Sequence, residues 1–213
     1  MRMQLINLPL ISTEENWRLF MLRRFDPGFT NYQQSIFRRD DFTCLFCGFR
    51  ANQHMDVINL DSNYSNNHAA NLATACPFCS QCFFLESVGM TDYGGGTIIY
   101  CPEMTQNEVN ALSHELFCIM ANNFPSAKQA NNIFRDLKLR GQLIEKEMGE
   151  GLSNPNNYGR LLVDARIENF ETLMNRLEPK VRLLPSPVRF AQQIEDWSIE
   201  AYKTMGHQKT AGH

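Results

Sequence analysis

The sequence predicts an α+β fold in which a small, metal-stapled ββα module is elaborated by a mainly helical C-terminal half. The first observation is a pair of Cys-x-x-Cys motifs, Cys44 to Cys47 and Cys76 to Cys79. The second is a strand-and-turn pattern between these motifs, and the third is a set of helix-start signals after residue 103. Four thiolates at these spacings suit a closed tetrahedral zinc site, so we expect a zinc ion to crosslink and stabilise the module.

The composition is that of a soluble globular protein. The chain has 213 residues, of which 43% are hydrophobic and 11% aromatic, enough for a real core. Its apolar runs fall well short of the ~18 residues that a membrane span needs, and its first residues lack a small-residue cleavage pattern. We therefore expect a cytoplasmic protein with no direct membrane insertion.

The charge balance argues against a nucleic-acid partner. The net charge is −3 and the isoelectric point is about 6.0, whereas affinity for phosphate backbones depends on positive charge. Basic pairs occur at Arg23-Arg24 and at Arg38-Arg39. We interpret them as solvated surface or short salt bridges, so no nucleic acid is expected among the partners.

Residues 1–40 are predicted to be an N-terminal adaptor segment. Ser12 and Glu15 have the spacing of a capping box ahead of an apolar stretch that begins at Trp17, although that stretch could also be a strand. Residues 31–39 are predicted to be helical and to lead directly into the first cysteine motif.

Residues 41–102 are predicted to form the zinc module. The run 49–60 and the turn-rich segment 61–67 indicate a β-hairpin and a loop, after which Cys76 can begin a short helix. Residues 97–101 are a predicted strand that ends at Pro102. The glycine-rich segment 93–97 before it lacks the lysine of a phosphate-binding loop, and we interpret it as a flexible connector.

Residues 103–205 are predicted to be a helical region packed on the module, so that the whole forms one compact domain. Capping signals occur at Thr105 with Glu108 and at Ser126 with Gln129, and prolines 155 and 187 stand at helix starts. Two buried stripes are predicted, one over Val109, Leu112, Leu116 and Ile119 and the other over Phe190, Ile194, Trp197 and Ala201. Residues 206–213 are expected to be a disordered tail.

The predicted metal ligands are Cys44, Cys47, Cys76 and Cys79, holding one structural zinc ion. Cys82 competes with Cys79 for the fourth position, because residues three apart on a helix share a face. We favour Cys79, since its spacing repeats that of the first motif. A tetrathiolate zinc site is closed to substrate, so its role is expected to be structural.

Five stretches of the module form a recognisable pattern: residues 38–48, 56–61, 66–67, 71–72 and 76–79. Through them the module resembles the zinc-knuckle HNH nucleases. The resemblance implies that Asp56 matches the acidic residue of the first strand and that Asn71 matches the loop asparagine. It also places Val57 at the general base and Ser80 at the last metal ligand, and neither side chain can perform the family's role there. His54 is expected on the opposite strand face and His68 in the loop.

Eight stretches of the chain form a more specific combination: residues 17–19, 36–40, 43–49, 57–61, 79–84, 86–89, 93–97 and 182–186. Through them the chain is similar, over nearly its full length, to the DotN (IcmJ) family of the Dot/Icm type IVB secretion system. The resemblance implies a non-catalytic adaptor that binds the C-terminal extension of the coupling ATPase DotL, in one complex with DotM, IcmS and IcmW. It further implies a role in effector recruitment and a peripheral position at the inner membrane through these partners. A metal-dependent HNH endonuclease and a nucleic-acid-binding zinc protein remain alternatives.

Overall fold

A computed structural model describes residues 5–164 and 180–210, with the backbone alone for residues 202–210. The helices are α1 Asn16–Arg24, α2 Pro27–Arg39, α3 Pro77–Ser80, α4 Gln106–Ala121, α5 Ala127–Leu139, α6 Gly141–Met148, α7 Pro155–Asp164 and α8 Ala191–Thr210. The strands are β1 Asp56–Asn59, β2 Leu72–Ala75, β3 Gly96–Tyr100 and β4 Val181–Pro185. This mixture of helices with two small antiparallel sheets agrees with the predicted α+β class.

The first sheet and the helix after it follow the predicted order of strand, strand and helix. Strands β1 and β2 pair in antiparallel register, with Asp56 opposite Ala75 and Asn59 opposite Leu72. Cys76 is the N-cap of α3, and Pro77 is its first residue, where a proline loses no hydrogen bond. The hairpin therefore spans β1 and β2, while the part of the run 49–60 before Asp56 contributes a single bridge from Arg50 to Thr43.

The second sheet pairs β3, which was predicted, with β4, which was not. Gly96 lies opposite Pro185, and Tyr100 lies opposite Val181. Leu183 and Leu184 are fully buried, so β4 contributes to the main core. A short apolar run that ends in proline carries a weak strand signal, and here a distant partner decides its structure.

The N-terminal helices differ in detail from the sequence prediction. Residues 16–24 are helical, but the capping box of Ser12 and Glu15 is wrong, because Ser12 Oγ instead donates to Glu86 Oε2 at 2.8 Å. The helix predicted over 31–39 is confirmed and begins earlier, at Pro27. Its N-cap is Asp26, whose carboxylate accepts from the Phe29 N–H at 2.6 Å.

In the helical half, the capping box of Thr105 and Glu108 is confirmed at the start of α4. Helix α5 follows Ser126 as predicted, but the Ser126 side chain makes no capping hydrogen bond. A break at Arg140 separates α5 from α6. A Cβ on Gly141 would lie 2.9 Å from Thr97 Cγ2, so this glycine permits close approach of α6 to β3.

The last helix begins at Ala191, later than the prediction from Ser186 and Pro187. The Ser186 carbonyl accepts from the N–H groups of Arg189 and Phe190, which makes a turn before the helix. Phe190, Ile194 and Trp197 are buried as predicted, whereas Ala201 is exposed. The helix continues to Thr210, inside the range expected to be disordered, because each added residue gains a backbone hydrogen bond. Residues 211–213 of that range lie outside the described residues.

One continuous hydrophobic core contains buried residues from Leu8 to Trp197 and joins the cysteine-rich segment to the helical half. A second, small cluster consists of Ile36, Phe37, Val57 and Leu72. Among the described helices, none combines the length and the apolar content needed to cross a membrane.

Candidate metal centre

The four cysteines of the two motifs come from two tight turns. Cys44 and Cys47 lie in the turn after α2, where the Gly48 N–H donates to the Cys44 carbonyl at 3.0 Å. Gly48 has φ of +77°, a conformation that glycine adopts without steric cost. In the second turn, the Cys79 N–H donates to the Cys76 carbonyl at 2.9 Å. Each turn therefore presents two sulfurs to the same point.

The four thiols converge as the sequence predicts. Their Sγ atoms all lie within 4.8 Å of one another, and Cys47 Sγ is 3.6 Å from Cys76 Sγ. Sulfurs bound to one tetrahedral zinc at about 2.3 Å are roughly 3.8 Å apart, so the spacing fits. All four residues are buried. The cluster is therefore close enough to hold a metal ion.

Burial and mutual hydrogen bonds shift the pKa values of the cluster thiols in opposite directions. Burial opposes ionisation of Cys44, but hydrogen bonds from the thiols of Cys47, Cys76 and Cys79 hold the pKa of Cys44 well below its ordinary value. Burial, together with the neighbouring Cys44, raises the pKa of both Cys76 and Cys79 well above the ordinary value. Four thiolates would therefore need a bound cation to compensate their charge.

Cys82 lies outside this cluster. Its thiol is fully buried and donates to the Phe78 carbonyl at 3.4 Å. Burial raises the pKa of Cys82, as expected for a thiol in apolar surroundings. Within the described residues, the four motif cysteines are the one group of three or more potential metal ligands that converge.

Helix α4 supplies two residues that the sequence analysis missed. His114 Nε2 is 3.2 Å from Cys76 Sγ, and Asn110 Nδ2 donates to Cys79 Sγ at 3.2 Å. Burial lowers the pKa of His114 to about 3, so the ring is neutral, and a proton on Nε2 can be donated to the sulfur. The signal available in the sequence is weak, because Asn110 and His114 are two polar residues four apart on a helix that carries several other polar residues.

The His114 ring also fixes α4 to the module by stacking. It lies between Phe49, at 3.7 Å between ring centroids, and Phe78, at 4.1 Å. Phe49 follows the first cysteine turn and Phe78 lies within α3. Because the His114 side chain contacts Cys76 and an aromatic neighbour of each cysteine turn, the metal cluster and the helical half form a single packed unit.

The positions carried over from the HNH resemblance do not form a second cluster. Ser80 Oγ donates to Asp56 Oδ2 at 2.7 Å, and Arg24 Nη2 is 3.7 Å from Asp56 Oδ1. Val57 is 2% exposed and packs in the small apolar cluster. Asn71 lies at the far end of the hairpin, where its amide donates to Asp61 Oδ1 at 2.8 Å.

The two histidines nearest in sequence have other surroundings. His54 Nε2 is 2.6 Å from Asp196 Oδ2, so it contacts the last helix. His68 is exposed in the loop before β2. The structure therefore brings neither of them into a described contact with Asp56.

Comparison with known proteins shows to which protein family the chain is related. No family model matches the sequence. A curated relative from Legionella pneumophila, described as "Type 4 apparatus protein DotN", is 48% identical over 198 residues. The alignment covers 93% of this chain and 92% of the relative. The chain therefore belongs to the DotN family of Dot/Icm type IV secretion components.

Proposed function

We propose that this chain is a non-catalytic adaptor subunit of the coupling complex of a Dot/Icm type IVB secretion system. It binds the C-terminal extension of the coupling ATPase DotL, and it supports recruitment of effector proteins together with DotM, IcmS and IcmW. The observation that carries this proposal is the 48% identity to a type 4 apparatus protein along 93% of the chain. Attachment to these partners would hold it peripherally at the inner membrane.

The cofactor in this proposal is one structural zinc ion held by Cys44, Cys47, Cys76 and Cys79. Thiolates are soft ligands that favour zinc among the available divalent ions, and four of them complete its tetrahedral shell. No position then stays open for a substrate. Binding of zinc would supply on the order of 10 kcal/mol toward folding of this segment.

The absence of catalysis is proposed from the residues at the nuclease positions. A general base is typically worth 10²- to 10⁴-fold in rate, and a valine side chain can neither accept a proton nor bind a cation. Val57 is buried among apolar residues, and the neighbouring Asp56 is hydrogen-bonded to Ser80. These contacts support an HNH-like module over residues 41–102 that has a structural purpose.

The remaining segments fit the same proposal. Residues 1–40 lie before the zinc module and residues 103–205 after it, and both contribute to the continuous core. Through His114 and Asn110, α4 connects the zinc cluster to the helical half. The zinc would therefore stabilise the surface on which a partner binds.

A pull-down with purified components tests the adaptor role. The C-terminal extension of DotL is immobilised, and the zinc-loaded protein is passed over it beside a DotL fragment that lacks the extension. We expect retention on the extension alone. Equal recovery of the protein on the DotL fragments with and without the extension would refute binding to this segment.

A metal-dependent nuclease is the second candidate, favoured by the position of the Asp56 carboxylate beside α3. Purified protein is incubated with plasmid DNA and Mg²⁺ or Mn²⁺. We expect intact plasmid. Cleavage that disappears in Asp56→Ala would overturn the non-catalytic proposal in favour of this second candidate.

A further inference from the structure

Two surface cavities meet at Pro187, in the turn between β4 and α8. The first, of about 340 Å³, lies between the glycine-rich segment 93–97, helix α5 and this turn. The second, of about 550 Å³, lies between the end of α4 and the start of α8. Pro187 lines both cavities, so the two adjoin at this residue. We call the adjoining pair the Pro187 channel.

The first part of the Pro187 channel is cationic. Lys138 and Arg189 line it, and its described lining includes no aspartate or glutamate. Arg189 Nε donates to the Gly94 carbonyl at 2.9 Å, and a Cβ on Gly95 would overlap the Arg189 side chain. The glycine-rich segment thus permits the close approach that fixes Arg189 in this wall. Within the described residues, Lys138 has no ion-pair partner.

The second part of the Pro187 channel is apolar. Its floor consists of Phe117 and Ile194, and Ile199 stands at its side with 46% of its surface exposed. Glu195 is the single carboxylate in its described lining. Val188, which is 82% exposed, lies beside the junction of the two parts. Phe117 and Ile194 are buried, so Ile199 and Val188 supply the exposed apolar surface beside the two adjoining cavities.

We propose that the Pro187 channel binds an extended peptide segment of a partner protein that carries an acidic side chain followed by apolar side chains. The acidic side chain pairs with Lys138, and the apolar side chains cover Phe117, Ile194 and Ile199. Glu195 repels an acidic group at the apolar part and so fixes the direction of the peptide. This inference rests on the proposed adaptor function, since it names the surface on which a partner's tail would bind.

The arrangement of charge favours a peptide over other occupants. An anion alone would use Lys138 and leave the apolar part uncovered, whereas a purely apolar helix would leave the lysine unpaired. A peptide in extended conformation can present both kinds of side chain along two adjoining cavities. Anchoring by a few buried apolar side chains next to a charge pair is the usual energetic pattern of such sites.

Labelled peptides tiled along the C-terminal extension of DotL test this inference by fluorescence anisotropy. We expect at least one acidic and apolar tile to bind the zinc-loaded protein and to bind Lys138→Glu and Ile199→Glu at least tenfold more weakly. The matched controls are Lys128→Glu on α5 and Leu143→Glu on α6, both exposed and outside the channel. Replacing the acidic residue of the tile by lysine should restore binding to Lys138→Glu.

The possible failures are distinguishable. If tiles bind the unmodified protein and both channel variants equally, the Pro187 channel is the wrong surface while the adaptor function stands. If Ile199→Glu weakens binding and Lys138→Glu does not, the acidic contact is refuted. If neither the tiles nor the whole extension binds the unmodified protein, the adaptor function fails and this inference fails with it. A dimer in sedimentation that Ile199→Glu dissociates would assign the channel to a second copy of the chain.

Discussion

The cysteine cluster and the Asp56 region lie in the same segment of the chain, but their polar side chains are arranged differently. At the cluster, four buried sulfurs converge on one point, and α4 supports them with His114 and Asn110. At Asp56, Oδ2 accepts from Ser80, Oδ1 lies 3.7 Å from Arg24 Nη2, and the next residue, Val57, is buried among aliphatic and aromatic side chains. Donor groups that converge on one point can hold an ion, whereas the described polar neighbours of Asp56 are a hydroxyl donor and a guanidinium.

The largest expected effect comes from breaking the cluster. Cys44→Ser and Cys76→Ser each leave three of the four sulfurs, and we expect loss of the folded protein, since the zinc ion proposed for this cluster would contribute on the order of 10 kcal/mol. Circular dichroism and metal analysis of the purified variants measure this. The matched control is Cys118→Ser, outside the cluster, which should melt and bind zinc like the parent protein. A metal-free parent protein with an unchanged melting curve would contradict the structural role of zinc.

The next largest loss of stability is expected at His114, the α4 residue that contacts the cysteine cluster. His114→Ala removes a buried ring from between Phe49 and Phe78 together with its bond to Cys76, so we expect the free energy of unfolding to fall by about 3 kcal/mol. His114→Phe keeps the ring and should cost about 1 kcal/mol. Urea unfolding of the zinc-loaded proteins measures both. Equal losses for the two variants would show that the hydrogen bond, and not the stack, connects α4 to the cluster.

A smaller effect is expected at Asp56. Ser80→Ala removes the donor to a buried carboxylate and should destabilise the protein by about 2 kcal/mol. The zinc content should stay at one ion per chain, because neither residue belongs to the cluster. A urea titration measures the loss of stability, and metal analysis of the folded variant measures its zinc content. Loss of zinc in this variant would mean that the two regions are not independent.

The smallest effect is electrostatic and lies at the far end of the hairpin. Hydrogen bonds from the Asn63 backbone and from the side chains of Asn66 and Asn71 hold the pKa of Asp61 below its ordinary value. The stability from these bonds is present above the ordinary aspartate pKa and is lost as pH falls through the lowered value. Asn71→Ala should move the pKa of Asp61 upward, which an NMR titration of the carboxyl carbon measures. An unchanged pKa would refute this role of Asn71.

The features that the sequence predicts well are local. Cys76 begins α3, and Thr105 with Glu108 begins α4, because each signal depends on residues within one turn. The convergence of the four sulfurs was also predictable, since each Cys-x-x-Cys spacing fixes two ligands at a time.

The features that the sequence does not predict depend on contacts between distant residues. Strand β4 exists because it pairs with β3, and His114 is placed beside Cys76 by the packing of α4. Ser12 has a sequence spacing typical of a cap, yet it bonds to Glu86, a residue whose proximity no local pattern indicates. Tertiary contacts therefore decided these three outcomes.

Native mass spectrometry with added Mn²⁺ distinguishes the two regions most directly. The parent protein and Asp56→Ala should each carry one zinc ion and no second metal, because the cysteine cluster alone has converging ligands within the described residues. A second ion that binds the parent protein and is absent from Asp56→Ala would contradict this and would place an open metal site beside α3.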